Sequence, residues 1–324
     1  MSRRSVPGDQ ASEAILVVDD ETAVRELVTS WLRHLADEVF VAASAAEALD
    51  LLAQHLVGVA LLDIRLADHD GLWLAERVRC RWPSTAVVMA SGVHEVAAAT
   101  SALQLGAVDF LMKPFGRDRL TEAVSRGRHW HCAAAAASAF VSRQPAVLES
   151  RCRQLIGAMR TLLVQTPEQL EAMLALATAG RPERAAAARR AVLAAVEFAS
   201  RLGLPAPDRA RIHAAAIGIE IATALADSAG CQDDRDVPLI AFALLSAVPA
   251  FLDAAEIARS RFERFDGTGF PDRLARGAIP FESRVLAVAA AAQAGGQTAD
   301  ARLAAGAGTE LDPHLVSALR VRVA

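Results

Sequence analysis

The sequence contains 324 residues, 53% of them apolar and 22% charged, with a formal net charge of -4. This length leaves room for two domains with separate cores, and the composition excludes an intrinsically disordered chain. The small negative net charge gives no indication of a nucleic-acid-binding surface.

No targeting or membrane-spanning segment is predicted. The first ten residues carry charge, but no apolar run follows them, so they do not have the pattern of a signal peptide. The longest apolar stretch, Pro238–Leu252, has 15 residues, whereas a membrane-spanning helix needs roughly 20. The four cysteines lack the close spacing of a metal site, which is typical of free thiols in a reducing compartment. We therefore expect a soluble cytoplasmic protein.

Residues 13–131 alternate five times between predicted strands and predicted helices. The strands are predicted at Ile15–Val18, Glu38–Ala42, Val59–Leu62, Ser84–Ala90 and Ala107–Met112. The helices are predicted at Val24–Leu35, Ala45–His55, Gly71–Cys80, Val93–Leu105 and Arg117–Trp130. Strict alternation with short loops predicts an α/β fold with a doubly wound five-stranded parallel sheet.

Polar residues follow four of these strands at the point where each strand ends. They are Asp19 with Asp20, Asp63, Ser91 and Lys113. The carboxyl ends of parallel strands meet at one edge of the sheet, where open α/β folds bind ligands, so we expect these side chains to converge on one crevice. Any one of them alone could be an ordinary loop residue. The five positions in this order favour a site.

The predicted crevice has the chemistry of a phosphorylatable aspartate. Clustered carboxylates repel one another unless a cation lies between them, and Mg²⁺ prefers such oxygen ligands. An anion arriving at Asp63 would meet the metal, the Lys113 ammonium and the Ser91 hydroxyl. Because a carboxylate can attack a phosphoryl donor to give an acyl phosphate, the pattern predicts phosphorylation of Asp63.

Residues 13–131 resemble a bacterial response-regulator receiver domain over their whole length, which implies a flavodoxin-like fold. The resemblance implies that Asp63 is the phosphoacceptor. It also implies that Asp19, Asp20, Asp63 and the backbone carbonyl of Arg65 hold Mg²⁺. The implied phosphodonor is a sensor histidine kinase.

The same resemblance assigns the residues of a conformational switch. Ser91 matches the switch hydroxyl and Phe110 the switch aromatic. Lys113 stands before Pro114, and the bond between them is expected to be cis. One departure is Leu66-Ala67, where the family often has Met-Pro, and we expect it to alter the loop but not the chemistry.

The second half of the chain is predicted to be all-α, because it is rich in residues of strong helix propensity. We interpret 132–165 as a connecting helix that can form a homodimer seam, and 166–324 as the output domain. Helices are predicted at 184–202, 208–227, 238–248 and 252–262, followed after a long irregular segment, Arg261–Pro280, by further helices.

The segment Glu263–Ala289 resembles the signature region of HD-GYP domains, which are all-α, metal-dependent phosphodiesterases that hydrolyse cyclic di-GMP. Their Asp-Gly-x-Gly-Tyr-Pro motif is matched by Asp266–Pro271, with Phe270 in place of tyrosine. The downstream Ile279-Pro280 and Arg284 also fit. The resemblance implies an HD-type helical domain.

The metal ligands of that family do not carry over. The aligned positions are occupied by Ala187, Ala215, Ala216, Ile219, Val237, Arg261, Phe262 and Ala290. Beyond His131 the chain has only His213 and His314, which cannot form a binuclear site built mainly from imidazoles. Without a metal there is no activated water to attack the phosphodiester. We therefore expect no Fe or Mn site and no phosphodiesterase activity.

The irregular segment Arg261–Pro280 has two interpretations. In the first it caps the helical domain, and its glycines and prolines are structural. In the second it contacts a protein partner or an unhydrolysed cyclic dinucleotide through guanidinium groups, which suit phosphates. The arginines concerned are Arg259, Arg261, Arg264, Arg273 and Arg276.

The sequence thus predicts a two-component response regulator that signals through a catalytically inactive HD-GYP-like domain by protein–protein interaction. Two alternatives stay open: a cyclic di-GMP sensor that binds without hydrolysis, and an active phosphodiesterase with unusual ligands. No helix-turn-helix with a basic recognition helix is present in the sequence, so DNA is not an expected partner. A membrane is not expected either, because the longest apolar stretch is too short to span one.

Overall fold

The computed structural model describes residues 14–92, 101–102, 105–231, 234–293 and 296–320. The chain forms two compact units, Met1–Ala136 and Ala137–Ala324. The limits predicted for the domains, 13–131, 132–165 and 166–324, stay predictions.

The first unit is built on a five-stranded parallel sheet with the order β2-β1-β3-β4-β5. Its strands are β1 (Ile15–Val18), β2 (Val39–Ala42), β3 (Val59–Asp63), β4 (Ala86–Ser91) and β5 (Asp109–Met112). Every residue of β1, β3 and β4 is buried, as expected for apolar strands covered on both faces. The predicted doubly wound sheet is confirmed, and its strand order is flavodoxin-like.

Three helices follow the first three strands. They are α1 (Thr22–Leu32), α2 (Ala45–Gln54) and α3 (Gly71–Arg81). Helix α2 begins where predicted because the Ser44 side chain accepts a hydrogen bond from the Glu47 amide. The helix predicted over Val93–Leu105 lies mostly outside the described residues.

Helix α4 (Arg117–Val141) is longer than predicted, since it continues past Trp130 through the five-alanine run. The chain then turns at 142–144, and α5 (Ala146–Thr161) begins after Pro145. Proline lacks an amide hydrogen and disfavours a helical conformation in the residue before it. The expectation of one connecting helix over 132–165 is therefore wrong, because two helices occupy most of this segment.

The second unit is all-α, as predicted. After α5 its helices are α6 (Pro167–Ala177), α7 (Pro182–Arg201), α8 (Ala206–Ala229), α9 (Val237–Leu245), α10 (Leu252–Arg259), α11 (Phe281–Ala292), α12 (Gly296–Gly306) and α13 (Pro313–Arg320). The helix predicted to end at 248 ends at Leu245, and the one predicted to end at 262 continues from Arg259 as a 3₁₀ turn, Ser260–Phe262.

Helix α8 packs against α6, α7, α9 and α10. A Cβ at Gly218 would approach the side chain of Leu245 on α9 to 2.6 Å, so glycine allows these two helices to pack closely. Within the described residues, α8 is the one helix long and apolar enough to cross a membrane, and 67% of its apolar window is buried inside the protein. That burial is the pattern of a core helix.

The irregular segment between α10 and α11 folds around Glu263. The buried Glu263 carboxylate accepts hydrogen bonds from the amides of Asp272 at 2.6 Å and Leu274 at 2.9 Å. Gly269 lies so close to the backbone of Glu263 and Arg264 that a Cβ would stand 2.3 Å from the Arg264 amide nitrogen. The glutamate and this glycine therefore have structural roles, in keeping with the first interpretation of the segment.

Candidate functional site

The strand ends that carry the predicted polar residues meet at one edge of the sheet. Asp63, the last residue of β3, pairs in register with Ala90, which precedes Ser91 at the end of β4. Asp19 follows β1 directly and Lys113 follows β5. The Lys113 amide donates to the Ser91 carbonyl at 2.6 Å, so the end of β5 is held against β4.

Asp19, Asp20 and Asp63 form a carboxylate cluster. Each offers an oxygen, and these oxygens lie within 4.8 Å of one another. Asp19 and Asp63 are buried, with 3% and 7% of their surface exposed, whereas Asp20 is exposed. Two of the carboxylates are thus shielded from water, while the third faces it.

Lys113 lies between two of these carboxylates. Its Nζ is 2.6 Å from Asp19 Oδ2 and 3.1 Å from Asp63 Oδ2. It is the single lysine in the sequence, which otherwise uses arginine as its permanently charged basic residue. An ammonium is a compact point charge and a guanidinium a planar fork, so a place between two close carboxylates favours lysine. The bond between Lys113 and Pro114 is cis, as expected.

The environment shifts the pKa of both partners. Burial raises the pKa of Asp63, and the charge of Asp19 adds to this, against the opposing effect of Lys113. Burial lowers the pKa of Lys113, but its hydrogen bond to Asp19 and the charges of Asp63 and Asp19 outweigh burial, so the pKa of Lys113 is raised. Lys113 is therefore a permanent cation beside a carboxylate whose ionised form is partly disfavoured.

Asp70 and Gly71 fix the loop that follows Asp63. The Asp70 side chain accepts a hydrogen bond from the Leu72 amide at 2.8 Å and so caps α3. The Gly71 amide donates to the Ile64 carbonyl at 2.7 Å. A Cβ at Gly71 would lie 1.9 Å from the Asp63 carbonyl oxygen, so the close approach requires glycine.

The other predicted site residues lie near the cluster. Ser91 is buried, with 1% of its surface exposed. Arg65 lies in the loop after β3, where it forms an isolated antiparallel bridge with Asp70. Phe110 is half-buried and packs against the hydrophobic core of this unit. Their roles as switch hydroxyl, carbonyl ligand and switch aromatic stay predictions.

The carboxylate cluster is consistent with Mg²⁺ binding. Three carboxylates provide the hard oxygen ligands that this ion prefers, and they leave coordination positions for water. A cation among them would also relieve their mutual repulsion.

One ionic contact at β5 was not predicted. Asp109 accepts hydrogen bonds from both Nη atoms of Arg119, each at 2.8 Å, and from Arg126. Burial raises the pKa of Asp109, but these bonds and that from the Phe110 amide outweigh it, so the pKa is lowered. The sequence gives no signal for this contact, since the partners come from different elements.

A second unpredicted contact involves Asp68, in the loop after β3. Its carboxylate accepts hydrogen bonds from the amides of Ala45 and Ala46, both at 3.0 Å, at the start of α2. Slight burial raises the pKa of Asp68, but these bonds outweigh it and lower the pKa to about 2. Asp68 therefore links this loop to α2 close to the Leu66-Ala67 departure.

The second unit contains a cavity of about 130 Å³ lined by residues of α7, α8, α11 and the 3₁₀ turn. Five positions aligned with the metal centre and its lysine line it: Ala216, Ile219, Arg261, Phe262 and Ala290. The other three, Ala187, Ala215 and Val237, do not belong to this lining; Ala191, one turn after Ala187, does. The described lining offers one carboxylate, Glu220, and no imidazole, which does not fit a binuclear centre built from histidines.

One histidine and two of the arginines singled out in this unit have carboxylate partners. His213 Nε2 lies 3.0 Å from Glu171 Oε1, as in an ordinary half-buried histidine. Arg259 makes two hydrogen bonds to Asp272, at 2.8 and 2.7 Å. Arg264 is held by carboxylates, the nearer of them Glu310 at 2.6 Å, with Asp266 at 3.3 Å.

Two family models match this chain. Residues 15–125 match the response regulator receiver domain, and residues 159–301 match an HD domain. The first unit is therefore a response regulator receiver domain. The chain joins it to an HD domain of all-α fold.

Similar proteins share the receiver part. The response regulator protein PilR of Pseudomonas aeruginosa is 38% identical over 110 residues, 34% of this chain and 25% of that protein. An NtrX-like response regulator of Rickettsia conorii is 36% identical over 114 residues, 35% of this chain and 24% of that protein. The crystal structure of the NtrX receiver domain from Brucella abortus is 38% identical, with a TM-score of 0.34, and the match covers 35% of this chain and 97% of that one. This chain thus spans about a quarter of the length of the first two relatives.

Proposed function

We propose that this chain is a two-component response regulator in which Asp63 is phosphorylated and the HD unit signals without catalysis. The observation that carries the first part is the position of Lys113 Nζ, 2.6 Å from Asp19 and 3.1 Å from Asp63. Receiver domains are phosphorylated by sensor histidine kinases, so we propose such a kinase as the phosphodonor and the cytoplasm as the location.

In the proposed reaction a carboxylate oxygen of Asp63 attacks phosphorus, and the bond from phosphorus to the donor breaks as the acyl phosphate forms. Lys113 is charged throughout and offsets the negative charge of the phosphoryl oxygens. Asp19 keeps the Lys113 ammonium in place, and Ser91 offers its hydroxyl to a phosphoryl oxygen. Asp19, Asp20, Asp63 and the Arg65 carbonyl would hold Mg²⁺, which would supply additional positive charge to the transferred group.

The proposed output follows from the change of charge at Asp63. The phosphoryl group carries roughly -1.5 to -2 charges, and it replaces the single charge of the ionised carboxylate, so the net change is about -0.5 to -1. Ser91 and Phe110 then move together and reshape the surface at the end of β5. This surface binds the next component, either an output protein or a second copy of the chain.

We propose further that the HD unit binds no catalytic metal and does not hydrolyse cyclic di-GMP. In support, the aligned positions around its cavity carry alanines, an isoleucine, a phenylalanine and an arginine. A guanidinium repels a metal ion, and apolar side chains cannot ligate one. We propose protein–protein interaction as the output of this unit.

Acetyl phosphate tests the phosphoacceptor. Full-length protein with Mg²⁺ and acetyl phosphate is expected to gain one phosphoryl group by intact mass, and Asp63→Asn none. Asp109→Asn, which removes a carboxylate of the same sheet outside the cluster, is expected to stay labelled. Label on Asp63→Asn would contradict the assignment.

Metal analysis tests the second part. Full-length protein purified without chelators is expected to carry no stoichiometric Fe or Mn, and incubation with cyclic di-GMP and either metal is expected to give no linear dinucleotide. Bound metal with turnover would show an active phosphodiesterase, while the phosphorylation result would stand independently.

A further inference from the structure

A guanidinium faces the cavity of the HD unit without a hydrogen-bond acceptor among the described residues. Arg261 lines this cavity, and its Cζ lies 5.1 Å from the ring centre of Phe262. A guanidinium has five N–H donors, and because Arg261 is half-buried, these donors are available to an anion that enters the cavity. Arg261 is therefore a cation with unused donors in a confined space.

The carboxylate that lines this cavity is already paired with another arginine. Glu220, the carboxylate in its lining, is engaged by Arg184 at 2.9 Å, and Arg184 also lies 3.5 Å from Asp227. Burial lowers the pKa of Arg261 to about 10, Glu220 opposes this, and Arg302 adds to the lowering. Arg261 thus stays charged at neutral pH. Arg184 already engages the single carboxylate of the described lining, so the Arg261 guanidinium has no hydrogen-bonded carboxylate of its own there.

We propose that this cavity binds one small oxyanion of the size of phosphate through the guanidinium of Arg261. The planar fork of arginine matches two oxygens of such an anion. Most of the wall is apolar, with Ala195, Leu286 and Ala289 among its residues, and a low-dielectric wall strengthens the ionic contact.

The size of the cavity limits the ligand. Pockets for drug-sized molecules measure roughly 300–1,000 Å³, whereas this one measures about 130 Å³. One phosphate fits this scale and a whole cyclic dinucleotide does not. The inference rests on the proposed function, because Arg261 can serve an anion only if the cavity holds no metal ion.

The test uses thermal unfolding of the full-length protein with inorganic phosphate as the probe. The parent is Asp63→Asn in Mg²⁺-free buffer, so that the receiver site does not contribute. Phosphate is expected to raise the unfolding midpoint with a saturable concentration dependence, on top of the non-saturating rise that an excluded anion gives proteins in general. Arg261→Met is expected to weaken the fitted Kd by about tenfold or more, the scale of one lost charge-assisted contact. Arg273→Met, an exposed arginine of the same segment, serves as the matched control and should keep the shift.

A second variant keeps the proposal testable if Arg261→Met does not fold. Ala290→Leu fills the cavity and leaves Arg261 in place, and it is expected to abolish the saturable part of the phosphate shift. An equal saturable shift in Arg261→Met or in Ala290→Leu would overturn the proposal, as would no saturable shift in the parent. A shift with cyclic di-GMP but not with phosphate would overturn it in favour of dinucleotide binding. Fe or Mn found in the same sample would instead refute the metal-free centre itself.

Discussion

Lys113 donates a hydrogen bond to Asp19 at 2.6 Å, a shorter contact than the 3.1 Å between its Nζ and Asp63 Oδ2. The ammonium thus ties the end of β1 to the end of β3 while its backbone holds β4. Of the two carboxylates, Asp19 therefore makes the stronger interaction with the Lys113 ammonium.

This difference predicts which of two substitutions, Asp19→Asn or Asp63→Asn, lowers the pKa of Lys113 more. In protein labelled with ¹³C-lysine the single lysine gives one Cε signal, and its titration midpoint should exceed that of free lysine. Asp19→Asn should lower this pKa more than Asp63→Asn, because the hydrogen bond to Asp19 is the largest of the effects that raise it. Asp109→Asn is the control and should leave the midpoint unchanged. The reverse order would show that Asp63 is the main partner.

Stability should depend on pH through Asp63. Its pKa is raised in the folded protein, so between the ordinary value of 3.8 and the raised value the folded state binds more protons than the unfolded chain. The stability due to this group is therefore present at low pH and is lost as pH rises through that range.

Asp63→Asn removes the titrating group, and in metal-free buffer at neutral pH it should unfold at a higher temperature than the wild type. The difference should shrink as the pH approaches about 4. Calorimetry at several pH values measures it. A difference that grows on acidification would mean that ionised Asp63 stabilises the fold.

Glu263 should be required for the irregular segment even without a metal. Glu263→Ala leaves the amides of Asp272 and Leu274 without their acceptors and should lower the free energy of unfolding by about 2–4 kcal/mol in urea titrations. Glu263→Gln keeps one acceptor oxygen in the same shape, so its loss should be clearly smaller. If the two variants lost the same free energy of unfolding, the charge of Glu263 and not its acceptor oxygens would be what stabilises the segment.

The residue at which a receiver fragment ends should determine how exposed Trp130 is. A fragment of residues 1–131 cuts α4 within its length and removes the amides that bond to the carbonyls of its new last turn. Trp130 is 4% exposed in the intact chain, so fraying should expose it and shift fluorescence emission to longer wavelength than in residues 1–136. The fragment 1–136 with Trp130→Phe identifies the signal of this tryptophan. Identical spectra from the two fragments would show that the helix survives the cut.

Most of the receiver fold could be predicted because each buried strand is a short apolar run that stops at a polar residue. Ile15–Val18 was predicted to the residue, and all five polar positions lie at the predicted edge of the sheet. The contact of Asp109 with Arg119 and Arg126 could not be predicted, since it depends on how α4 lies against β5.

The helical half was harder to predict in detail, because alanine-rich helices have few residues that mark their register. Ala187 is aligned with a metal ligand, yet Ala191 and Ala195 are the residues of α7 that line the cavity. The break at Pro145 had a local signal in the proline itself, and the strong helix propensity on both sides obscured it.

Gly71 has a consequence for experiments that score every substitution in the chain. It has no side chain for chemistry, yet a Cβ there would lie 1.9 Å from the carbonyl oxygen of Asp63, the proposed phosphoacceptor. In a saturation mutagenesis screen Gly71 should tolerate as few replacements as Asp63. The two positions would separate only when abundance and phosphorylation are read out independently, because replacements at Gly71 reduce the amount of folded protein and Asp63→Asn reduces only the label.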